Sequence, residues 1–502
     1  MPPINNFKRN CLSVAIGQAI LFHTVVPSVA QAATVTVDTT SDVGNAAGCS
    51  LRDAISVTNN GAFINNGCVV NGNAFGTNDQ INFDLPSDST INLQQGKLLI
   101  NTTVSINGPG AEQLTIDGNN ASRVFEFNGA YDSVVDGLTI ANGHGFIVDN
   151  SDGMTISNST ISGHSAGRGG IQVERSDSVT ISNNTIQGNS AYFGGGIYIH
   201  LSDEIIISNS TINGNLADSG GGIYFLESES LVISNSKINN NEGGGIVLFA
   251  SDEIKITESD ISSNTTKYRG GGIYISSDNV SIEATTISRN LSRGGGGISV
   301  DYNQGIQIVN STISSNTAIT YDDGRGGKGG GIYSTGYAEL RLYASTINDN
   351  KALAAGVSGG GIYASDNADV NLYLNNVVSN SVGGDCNRAI ESFSIAGRRI
   401  NWSEDGSCLI GSASGNGDPL LGPLRDNGGS TLTHAPLAGS GLINAFLLPC
   451  TNAPINGVDQ RGEPRVSSGC FMGAVEGIQE EEDETSFYII PLSNGKTAVV
   501  PL

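Results

Sequence analysis

The feature that most constrains this chain is a repeat. The stretch GGGIYIHLSDEIIISNSTINGN, from Gly194 to Asn215, returns 26 residues later as GGGIYFLESESLVISNSKINNN. An isoleucine follows each glycine run, at Ile171, Ile197, Ile223, Ile246, Ile273, Ile298, Ile332 and Ile362. A second series, in STI or its equivalent, keeps step with the first, at Ile161, Ile186, Ile212, Ile238, Ile261, Ile287, Ile313 and Ile347. Such a repeat predicts a solenoid in which each repeat forms one coil and stacks on the next.

Within a coil the apolar residues alternate, which is typical of strands rather than helices. Ile197 and Ile199 flank Tyr198, and Ile205 and Ile207 repeat the pattern. Three such short segments, separated by turn residues, predict a triangular coil, and this repeat is too long for a hexapeptide-based one. Parallel strands joined by crossovers are right-handed as a rule. The predicted fold is therefore an all-β, right-handed, three-sided parallel β-helix with a short helical N-terminal cap and disulfide-stapled ends.

Two asparagine series fall at the predicted corners. One lies three residues before the STI isoleucine or its valine equivalent, at Asn158, Asn183, Asn209, Asn235, Asn310 and Asn375. The other lies three residues after it, at Asn189, Asn215, Asn241, Asn264, Asn290, Asn316 and Asn350. Both are expected to form ladders of amides that bond local backbone and the asparagines of adjacent coils. The N-x-S/T matches at Asn158 and Asn209 are therefore interpreted as ladder positions rather than glycan sites.

The start of the chain reads as a secretory signal peptide at residues 1–32. Lys8 and Arg9 precede an apolar run, and AQA, ending at Ala32, is a small-residue cleavage site. No later run is long and apolar enough to predict a membrane span. The mature chain is therefore expected to be secreted or held at the cell surface.

Beyond the signal peptide, the sequence divides into four predicted regions. CSLRDAI, beginning at Cys49, has the form of a capped helix start, and NG at Asn494 lies between two β-rich runs, as in a hairpin. The regions are an N-terminal cap at 33–80, β-helix repeats at 81–380, a C-terminal cap or anchor-type domain at 381–478, and an acidic linker with a hairpin-like tail at 479–502.

Cysteine use also suggests export. Cys11 lies in the signal peptide, and the other six cysteines fall in neighbouring pairs, Cys49 with Cys68, Cys386 with Cys408, and Cys450 with Cys470. An even number in an exported chain predicts disulfides. Neighbour pairing is expected because the partners cluster at the two ends of the array, where a solenoid most needs cross-links. Reduced, buried thiols are the alternative.

The charge balance limits the partners. The formal net charge is −24, and loss of the signal peptide removes two positive charges and no negative ones, leaving 22 Lys and Arg against 48 Asp and Glu, or −26. Nucleic acid is excluded as a partner, because phosphate binding needs a basic surface. The balance suits an extracellular protein that takes up divalent cations, and the solenoid is expected to be monomeric.

The motifs at the two ends resemble a bacterial family of exported β-helix proteins. Its members begin with a CSLREA-type motif, here CSLRDAI with Asp53 in place of Glu, and end with a so-called choice-of-anchor domain, here DPLLGPLRDNGG, LTHAPLAGSGLINA, DQRGEPR and FMGAVEG. This resemblance covers nearly the whole mature chain. It implies secretion and surface attachment by varied C-terminal tails, and it supplies no catalytic motif.

The repeats also resemble those of polymorphic outer-membrane proteins. Those repeats pair a GGAI-type motif with an FxxN-type motif, which read GGGI and IxxN here. In the coil that begins at Gly194, Ile212 replaces the phenylalanine and Asn215 closes the motif.

β-Helices also carry polysaccharide lyases and hydrolases, so an enzyme is an open alternative. GHG, at Gly143 to Gly145, resembles part of the polygalacturonase pattern. Such a hydrolase needs paired carboxylates, but no NTD or DD pair precedes this motif and no RxK follows it. A glycine-rich corner with a solvated His144 is the simpler interpretation, and no catalytic residue is predicted.

An acidic column follows the turn between the first and second strands of successive coils. Its members are Asp152, Asp177, Asp203, Glu229, Asp252 and Asp278. Carboxylates one strand apart repel unless they are solvated, bonded to turn amides or bridged by a cation. A calcium site is one interpretation, since Ca²⁺ prefers several oxygen ligands. A turn in which Ser-Asp bonds local backbone is the other.

A row of tyrosines on the outer face of the first strand is the third candidate feature. Tyr198, Tyr224, Tyr274, Tyr333 and Tyr363 each follow the first isoleucine of a coil, and Arg168, Arg269, Arg293 and Arg325 lie near the glycine runs. The two longest repeats insert their extra residues at this same corner. A groove that holds an acidic glycan is one interpretation. A tyrosine stack that shields the sheet, with arginines for solubility, is the other.

These observations favour an exported, non-enzymatic surface or matrix protein of adhesin-like character, with a polysaccharide or a host or cell surface as candidate partner. The alternative is a lyase or glycoside hydrolase acting on acidic polysaccharide. An enzyme is expected to focus acidic, basic or histidine residues on one coil, whereas this chain spreads its polar residues in columns.

Overall fold

The computed structural model describes most of the chain after the predicted signal peptide. The described residues are 32–43, 48–62, 67–72, 75–76, 79–165, 167–320, 324–379, 382–388, 390–392, 401–408, 415–444, 450–466, 470–478, 487–491 and 497–501. The signal peptide up to residue 31 and the acidic linker at 479–486 lie outside the described residues.

The coils stack as a parallel β-helix with three main sheets, which confirms the predicted fold class. Sheet 1 contains the strands that follow the glycine runs. Its 11 strands are Leu98–Ile100, Phe125–Asn128, Phe146–Asp149, Ile171–Glu174, Ile197–His200, Ile223–Leu226, Ile246–Phe249, Ile273–Ser276, Ile298–Asp301, Ile332–Thr335 and Ile362–Ala364.

Sheet 2 contains the second strand of each coil. Its 15 strands, in spatial order, are Val70–Asn71, Thr34–Val37, Asp79–Phe83, Val104–Asn107, Val134–Asp136, Thr155–Ser157, Thr180–Ser182, Ile205–Ser208, Glu229–Ser234, Asp252–Thr257, Val280–Glu283, Ile306–Val309, Glu339–Tyr343, Asp369–Leu374 and Glu391–Ser392. Val70–Asn71 is antiparallel to its neighbour, and the other pairs are parallel.

Sheet 3 contains the STI strands. Its 14 strands are Ser89–Asn92, Leu114–Asp117, Thr139–Ala141, Thr160–Ser162, Thr185–Gln187, Thr211–Asn213, Lys237–Asn239, Asp260–Ser262, Thr286–Ser288, Thr312–Ser314, Thr346–Asn348, Asn376–Ser379, Asn401–Ser403 and Gly415–Asn416.

Short extra strands widen the corner between sheets 3 and 1. Ser190–Phe193 pairs with Leu216–Ser219, and Leu291–Ser292, Thr317–Ala318 and Lys351–Ala352 form a second small ladder. This corner is where the longest repeats carry their extra residues.

The core is a column of aliphatic side chains inside the coils. Ile197, Ile199, Ile205 and Ile207 have no exposed surface, and Ile206 between the last two is exposed on the outer face. Burial of one such side chain stabilises the fold by roughly 1.5–3 kcal/mol. The strict alternation therefore fixes which face of each strand points inward.

One of the two predicted asparagine ladders is present. Asn215 is 1% exposed, its Nδ2 donates to the Ile186 carbonyl at 3.0 Å and to Asn241 Oδ1 at 3.1 Å, and its Oδ1 accepts from the backbone N–H and Nδ2 of Asn189 at 3.0 Å each. The same pattern runs along the series from Asn189 to Asn350. Each buried amide thus satisfies backbone groups of the bend.

The other predicted ladder is wrong. Asn158 and Asn209 have φ of 49° and lie exposed at the corner, so their N-x-S/T matches are not ladder positions. Their series has positive φ throughout, a conformation that asparagine tolerates better than most residues. The ladder at this corner is formed by the following residue instead: Ser210 N–H donates to Ser236 Oγ at 3.2 Å, and Ser210 Oγ donates to the Ser208 carbonyl at 2.8 Å.

The glycine runs allow the backbones of adjacent coils to approach closely at the corner beside sheet 1. Gly194 has φ of +59°, and a Cβ on Gly196 would lie 2.7 Å from the carbonyl oxygen of Gly222 in the next coil. No other residue type fits at position 196 without displacing the backbone of the next coil.

The CSLRDAI motif caps the N-terminal end through the helix Leu51–Asn60, as the sequence predicts. The Ser50 hydroxyl accepts the N–H of Asp53 at 3.1 Å, and the helix packs on the first strands of sheets 1 and 2. Arg52 forms a two-bond ion pair with buried Asp42 at 2.9 and 3.1 Å and donates to the Gly96 carbonyl at 2.7 Å. The arginine of the motif therefore has a structural role, linking the helix to Asp42 and to the backbone at Gly96.

The C-terminal region packs along the outer side of sheet 3, on coils that precede the last one. Arg465 is buried and donates to Asn310 Oδ1 at 2.9 Å and to Glu476 Oε2 at 3.4 Å. Gln460 bonds Thr312 at 2.6 Å and Thr286 at 2.9 Å, on outward positions that this region covers. It also contains the 3₁₀ turn Gly441–Asn444.

The three neighbouring cysteine pairs are disulfides, as predicted. Cys450–Cys470 packs on Val309 and Ala344, so this bond staples the flank rather than an end. In the tail, Phe487–Pro491 and Thr497–Pro501 form the predicted antiparallel hairpin, whose turn lies outside the described residues.

Candidate functional site

The tyrosine row runs along the outer face of sheet 1 in register. Tyr198 pairs with Tyr224, and Tyr333 with Tyr363, one coil apart. Their rings stack, with centroids 6.0 Å and 5.2 Å apart respectively. Val247 and Ser299 interrupt the row on either side of Tyr274.

A groove of about 1520 Å³ lies over the middle of this face. The outer face of sheet 1 lines its floor, and the walls come from the extra strands and the inserted residues at the glycine corner. Of the residues singled out in the sequence, the groove brings together Tyr224, Tyr274, Tyr333, Arg269, Arg293 and Arg325.

The groove is locally basic in an acidic chain. Among the described residues, five cations line it, Lys267, Arg269, Arg293, Arg325 and Lys328, against two carboxylates, Asp218 and Asp301, which gives these residues a net charge of +3. The whole chain has a net charge of −24. A cleft lined mainly by one sign of charge focuses the field and attracts ligands of the opposite sign.

Two sequence-predicted tyrosines lie outside the groove lining. Tyr198 is on the outward row but only 3% exposed, because the Arg168 guanidinium lies 4.9 Å from its ring centroid and Tyr224 stacks beside it. Burial raises the pKa of Tyr198. Tyr363 lies under the ammonium of Lys328, 4.7 Å from its ring centroid.

The most connected part of the groove centres on Asp301. Its carboxylate accepts from Tyr274 Oη at 3.1 Å, from Arg269 Nη1 at 3.3 and 3.4 Å, and from the Thr335 hydroxyl. Burial and the neighbouring Asp301 charge raise the pKa of Tyr274 to about 12. Tyr274 therefore keeps its proton at neutral pH and acts as a hydrogen-bond donor.

Sequence reasoning missed several groove residues. Asp301, Lys328, Lys267 and Tyr268 do not recur from coil to coil, so a repeat-based search passes over them. A usable signal was present, since Lys328 lies in the longest insertion and Lys267 and Tyr268 directly precede Arg269.

In the acidic column, several carboxylates bond backbone amides of neighbouring coils. Asp152 Oδ1 accepts the N–H of Asp177 at 2.9 Å, and Asp177 Oδ1 accepts that of Asp203 at 2.9 Å. Asp203 Oδ1 then accepts the N–H of Glu229 at 2.6 Å. Among the described residues, no group of three or more His, Cys, Asp or Glu side chains is placed to hold a metal ion. The geometry favours the turn interpretation, and a calcium site stays a prediction.

The histidine of GHG is exposed, as expected for His144 at a glycine corner. It lines a smaller cleft of about 590 Å³ with Arg123, Arg168 and Tyr192. The cations of this cleft are paired: Arg123 binds Glu126 at 3.1 Å, and Arg168 binds Glu174.

Comparison with known proteins identifies the class. The sequence matches the right-handed β-helix region family over residues 123–275 and 254–400, more than half of the chain, and the chain belongs to that family. No curated protein sequence matches it. Three disulfides are typical of extracellular proteins. No helix within the described ranges is long and apolar enough to cross a membrane.

Several solved structures resemble the fold at low identity. One is the A-module of the mannuronan C-5 epimerase AlgE6 of Azotobacter vinelandii, with 14% identity over 68% of this chain and 91% of that chain, at a TM-score of 0.48. Another is PfbA, a surface adhesin of Streptococcus pneumoniae, with 13% identity over 70% of this chain and 90% of that one, at 0.40. The PL6 family alginate lyase AlyGC has 14% identity over 90% of this chain and 60% of that chain, at a TM-score of 0.44. Likeness at this level does not extend to activity.

Proposed function

We propose that this chain is an exported, non-enzymatic surface or matrix protein that binds an acidic polysaccharide along the groove on sheet 1. The observation that carries the proposal is a groove floored by tyrosines, whose described lining residues have a net charge of +3, in a chain of net charge −24. The acidic remainder of the surface repels polyanions, so attraction is confined to the groove.

The groove has the shape and chemistry of a polysaccharide site. From Tyr224 to Tyr333 it spans four coil steps, or about 19 Å at a strand spacing of about 4.8 Å, enough for several sugar units. Tyrosine rings give rigid apolar platforms with a polar tip, and arginine forks match carboxylates in two-bond geometry. A linear polyuronate offers sugar faces and carboxylates in alternation.

Two features argue against catalysis in the groove. A general base works best when its pKa lies near the working pH, and Tyr274, with a pKa of about 12, is protonated at neutral pH. Asp301 already accepts from Arg269, Tyr274 and Thr335. A polysaccharide lyase or glycoside hydrolase remains the alternative function.

The proposal includes export and attachment. Residues 1–32 serve as the signal peptide, 33–80 as the CSLREA-type cap, 81–380 as the repeat region and 381–478 as the choice-of-anchor-type domain. The tail at 479–502 directs surface retention. The resemblance of the repeats to those of polymorphic outer-membrane proteins fits the same location.

The binding proposal is tested with a glycan array and with lyase and hydrolase assays on the same polyuronates. We expect retention on polyuronates, weakening with salt, and no turnover. Release of unsaturated or reducing ends would replace the binding function with the enzyme alternative. Absence of binding to every acidic glycan would overturn the proposal.

Attachment is tested by deleting residues from Glu480 to Leu502 in the full-length chain. We expect the truncated protein to fold with an unchanged melting temperature and to move from the cell surface to the medium. If it stays on the cell at the same level, the tail is not the anchor.

A further inference from the structure

The interruption of the tyrosine row at Ser299 shapes the centre of the groove. Ser299 lies between Tyr274 and Tyr333 in register and faces outward, yet it is fully buried. Arg269, from the coil of Tyr274, reaches across this position, so that its guanidinium carbon lies 4.7 Å from the centroid of the Tyr333 ring. A large side chain at residue 299 would occupy that path.

Two contacts fix the guanidinium of Arg269. Stacking on Tyr333 holds its plane, and Nη1 donates to Asp301 at 3.3 and 3.4 Å, which holds its rotation. Tyr274 and Thr335 in turn hold Asp301, whose side chain is 13% exposed. Such a network reduces the rotamer entropy that Arg269 would lose on binding a ligand.

Among the described residues, one edge of the same guanidinium has no hydrogen-bond acceptor. Within the part of the chain that the structure describes, neither Nε nor Nη2 of Arg269 donates a hydrogen bond, and the side chain is 43% exposed in the groove. Nε and Nη2 present parallel donors, the arrangement that binds both oxygens of a carboxylate.

Resting on the proposed function, we propose that Arg269 binds the carboxylate of one uronate unit through Nε and Nη2, and that Asp301 is the positioning residue that holds Arg269 flat on Tyr333. A lysine at 269 would keep the charge but lose the planar fork and the stack. Arg269 therefore makes the groove selective for carboxylate over its neutral ester.

The test measures the affinity of the full-length protein for an oligogalacturonate and for its methyl ester by calorimetry. Wild type is compared with Arg269→Lys, Asp301→Asn and the double variant. Lys255→Gln is the matched control, because Lys255 lies outside the groove and pairs with Glu283 at 3.0 Å on sheet 2. Thermal unfolding of each variant separates loss of binding from loss of fold.

We expect Arg269→Lys and Asp301→Asn each to lower the acid-to-ester affinity ratio about tenfold, the effect of losing one two-bond contact. The double variant is expected to lose no more than Arg269→Lys alone, since Asp301 acts through Arg269. Lys255→Gln is expected to keep the ratio.

Other outcomes separate the two proposals. If wild type binds the acid but Arg269→Lys keeps its ratio, the fork assignment fails and the groove proposal stands. If the two single losses add in the double variant, Asp301 does not act through Arg269. If wild type prefers a sulfated oligosaccharide to the uronate, the carboxylate assignment is overturned. If wild type binds none of these probes, the proposed function itself fails.

Discussion

The asparagine ladder and the tyrosine row are both columns generated by the same repeat, yet their surroundings differ. Asn215 is 1% exposed and its amide makes four hydrogen bonds, with identical partners one coil above and below. In the tyrosine row, Tyr198 stacks on Tyr224 and Tyr333 on Tyr363, but the row is broken at Val247 and Ser299. The regular column is thus the one whose buried amides are hydrogen-bonded within the fold. The interrupted column is the one that borders the charged, accessible groove.

The insertions contribute to the same groove, although they lie outside the coils of Val247 and Ser299. The repeat steps that end at Ile332 and Ile362 are 34 and 30 residues, against 23 to 27 for the earlier steps, and the first of these insertions supplies Arg325 and Lys328 to the groove. In solenoids, insertions map to loops on one face, often the binding face. The proposed binding surface therefore lies where the repeat is least regular.

Substitutions in the asparagine ladder should lower the free energy of unfolding more than substitutions in the groove. We expect Asn215→Leu to lower the free energy of unfolding by roughly 4 kcal/mol, because the Asn189 N–H and the Ile186 carbonyl each lose a buried partner at about 1–3 kcal/mol. Denaturant unfolding of the purified protein measures this difference.

Asn209→Gly is the control from the other asparagine series. Asn209 is exposed with φ of 49°, which glycine adopts freely, so we expect a change below about 0.5 kcal/mol. Equal effects of the two variants would contradict the division between ladder and turn asparagines.

Sequence reasoning reached the fold because the relevant signals repeat. The alternation of Ile197, Tyr198 and Ile199, and the spacing of the STI isoleucines, determine strands, coil length and inward face. It failed for Asn158 and Asn209, because an asparagine at a corner can serve either by its amide or by its tolerance of positive φ, and spacing does not distinguish the two.

His164 replaces asparagine in the ladder and makes one position pH-sensitive. It is buried, its backbone N–H donates to Asn189 Oδ1 at 3.0 Å, and its Nδ1 accepts from Gly143 N–H at 3.1 Å. Burial lowers its pKa from 6.5 to about 4. The carboxylate of Asp117 acts in the opposite direction, and His144 lowers the pKa slightly further. Neutral imidazole is therefore the form that the fold favours.

Because the folded pKa is below the unfolded one, this stability is present above pH 6.5 and is lost as the pH falls toward 4. We expect wild type to lose about 3 kcal/mol more than His164→Asn between pH 7 and pH 4. Asparagine keeps an acceptor for Gly143 and does not titrate in this range. Parallel stability curves for the two proteins would show that His164 is not the titrating group.

The groove should tolerate changes that the ladder does not. We expect Lys328→Gln to alter the free energy of unfolding by less than about 1 kcal/mol, since Lys328 is exposed and loses one contact with Tyr363. The same variant should bind polyuronate several-fold more weakly and with a smaller dependence on salt, because one counter-charge is gone.

Lys255→Gln is the matched control outside the groove. Lys255 pairs with Glu283 at 3.0 Å on sheet 2, so its removal changes the net charge equally without touching the groove. A similar loss of affinity in both variants would mean that binding follows the overall charge rather than the groove.

The groove itself was only partly predictable from the sequence. The tyrosines and arginines were found because they recur near several of the glycine runs. Asp301 and Lys328 were not, because each occurs once, and their roles depend on contacts between coils, such as that of Asp301 with Arg269, 32 residues away. One-off residues have no periodic signal, and their contacts appear only once the coils are stacked.

The acidic column provides the smallest expected effect, and it tests whether this column is architecture, like the ladder, or a site, like the groove. The Asp152, Asp177 and Asp203 carboxylates each accept an amide N–H from a neighbouring coil, and that hydrogen bond gives each carboxylate a partner without any cation. We therefore expect excess Ca²⁺ or a chelator to leave the melting temperature unchanged. An increase with Ca²⁺ that disappears in the double variant Asp203→Asn, Asp252→Asn would show binding to the folded state by mass action and would establish the column as a calcium site. An increase in melting temperature that persists in that variant would place the ion elsewhere on this acidic chain, and the column would then serve only to stabilise the turn.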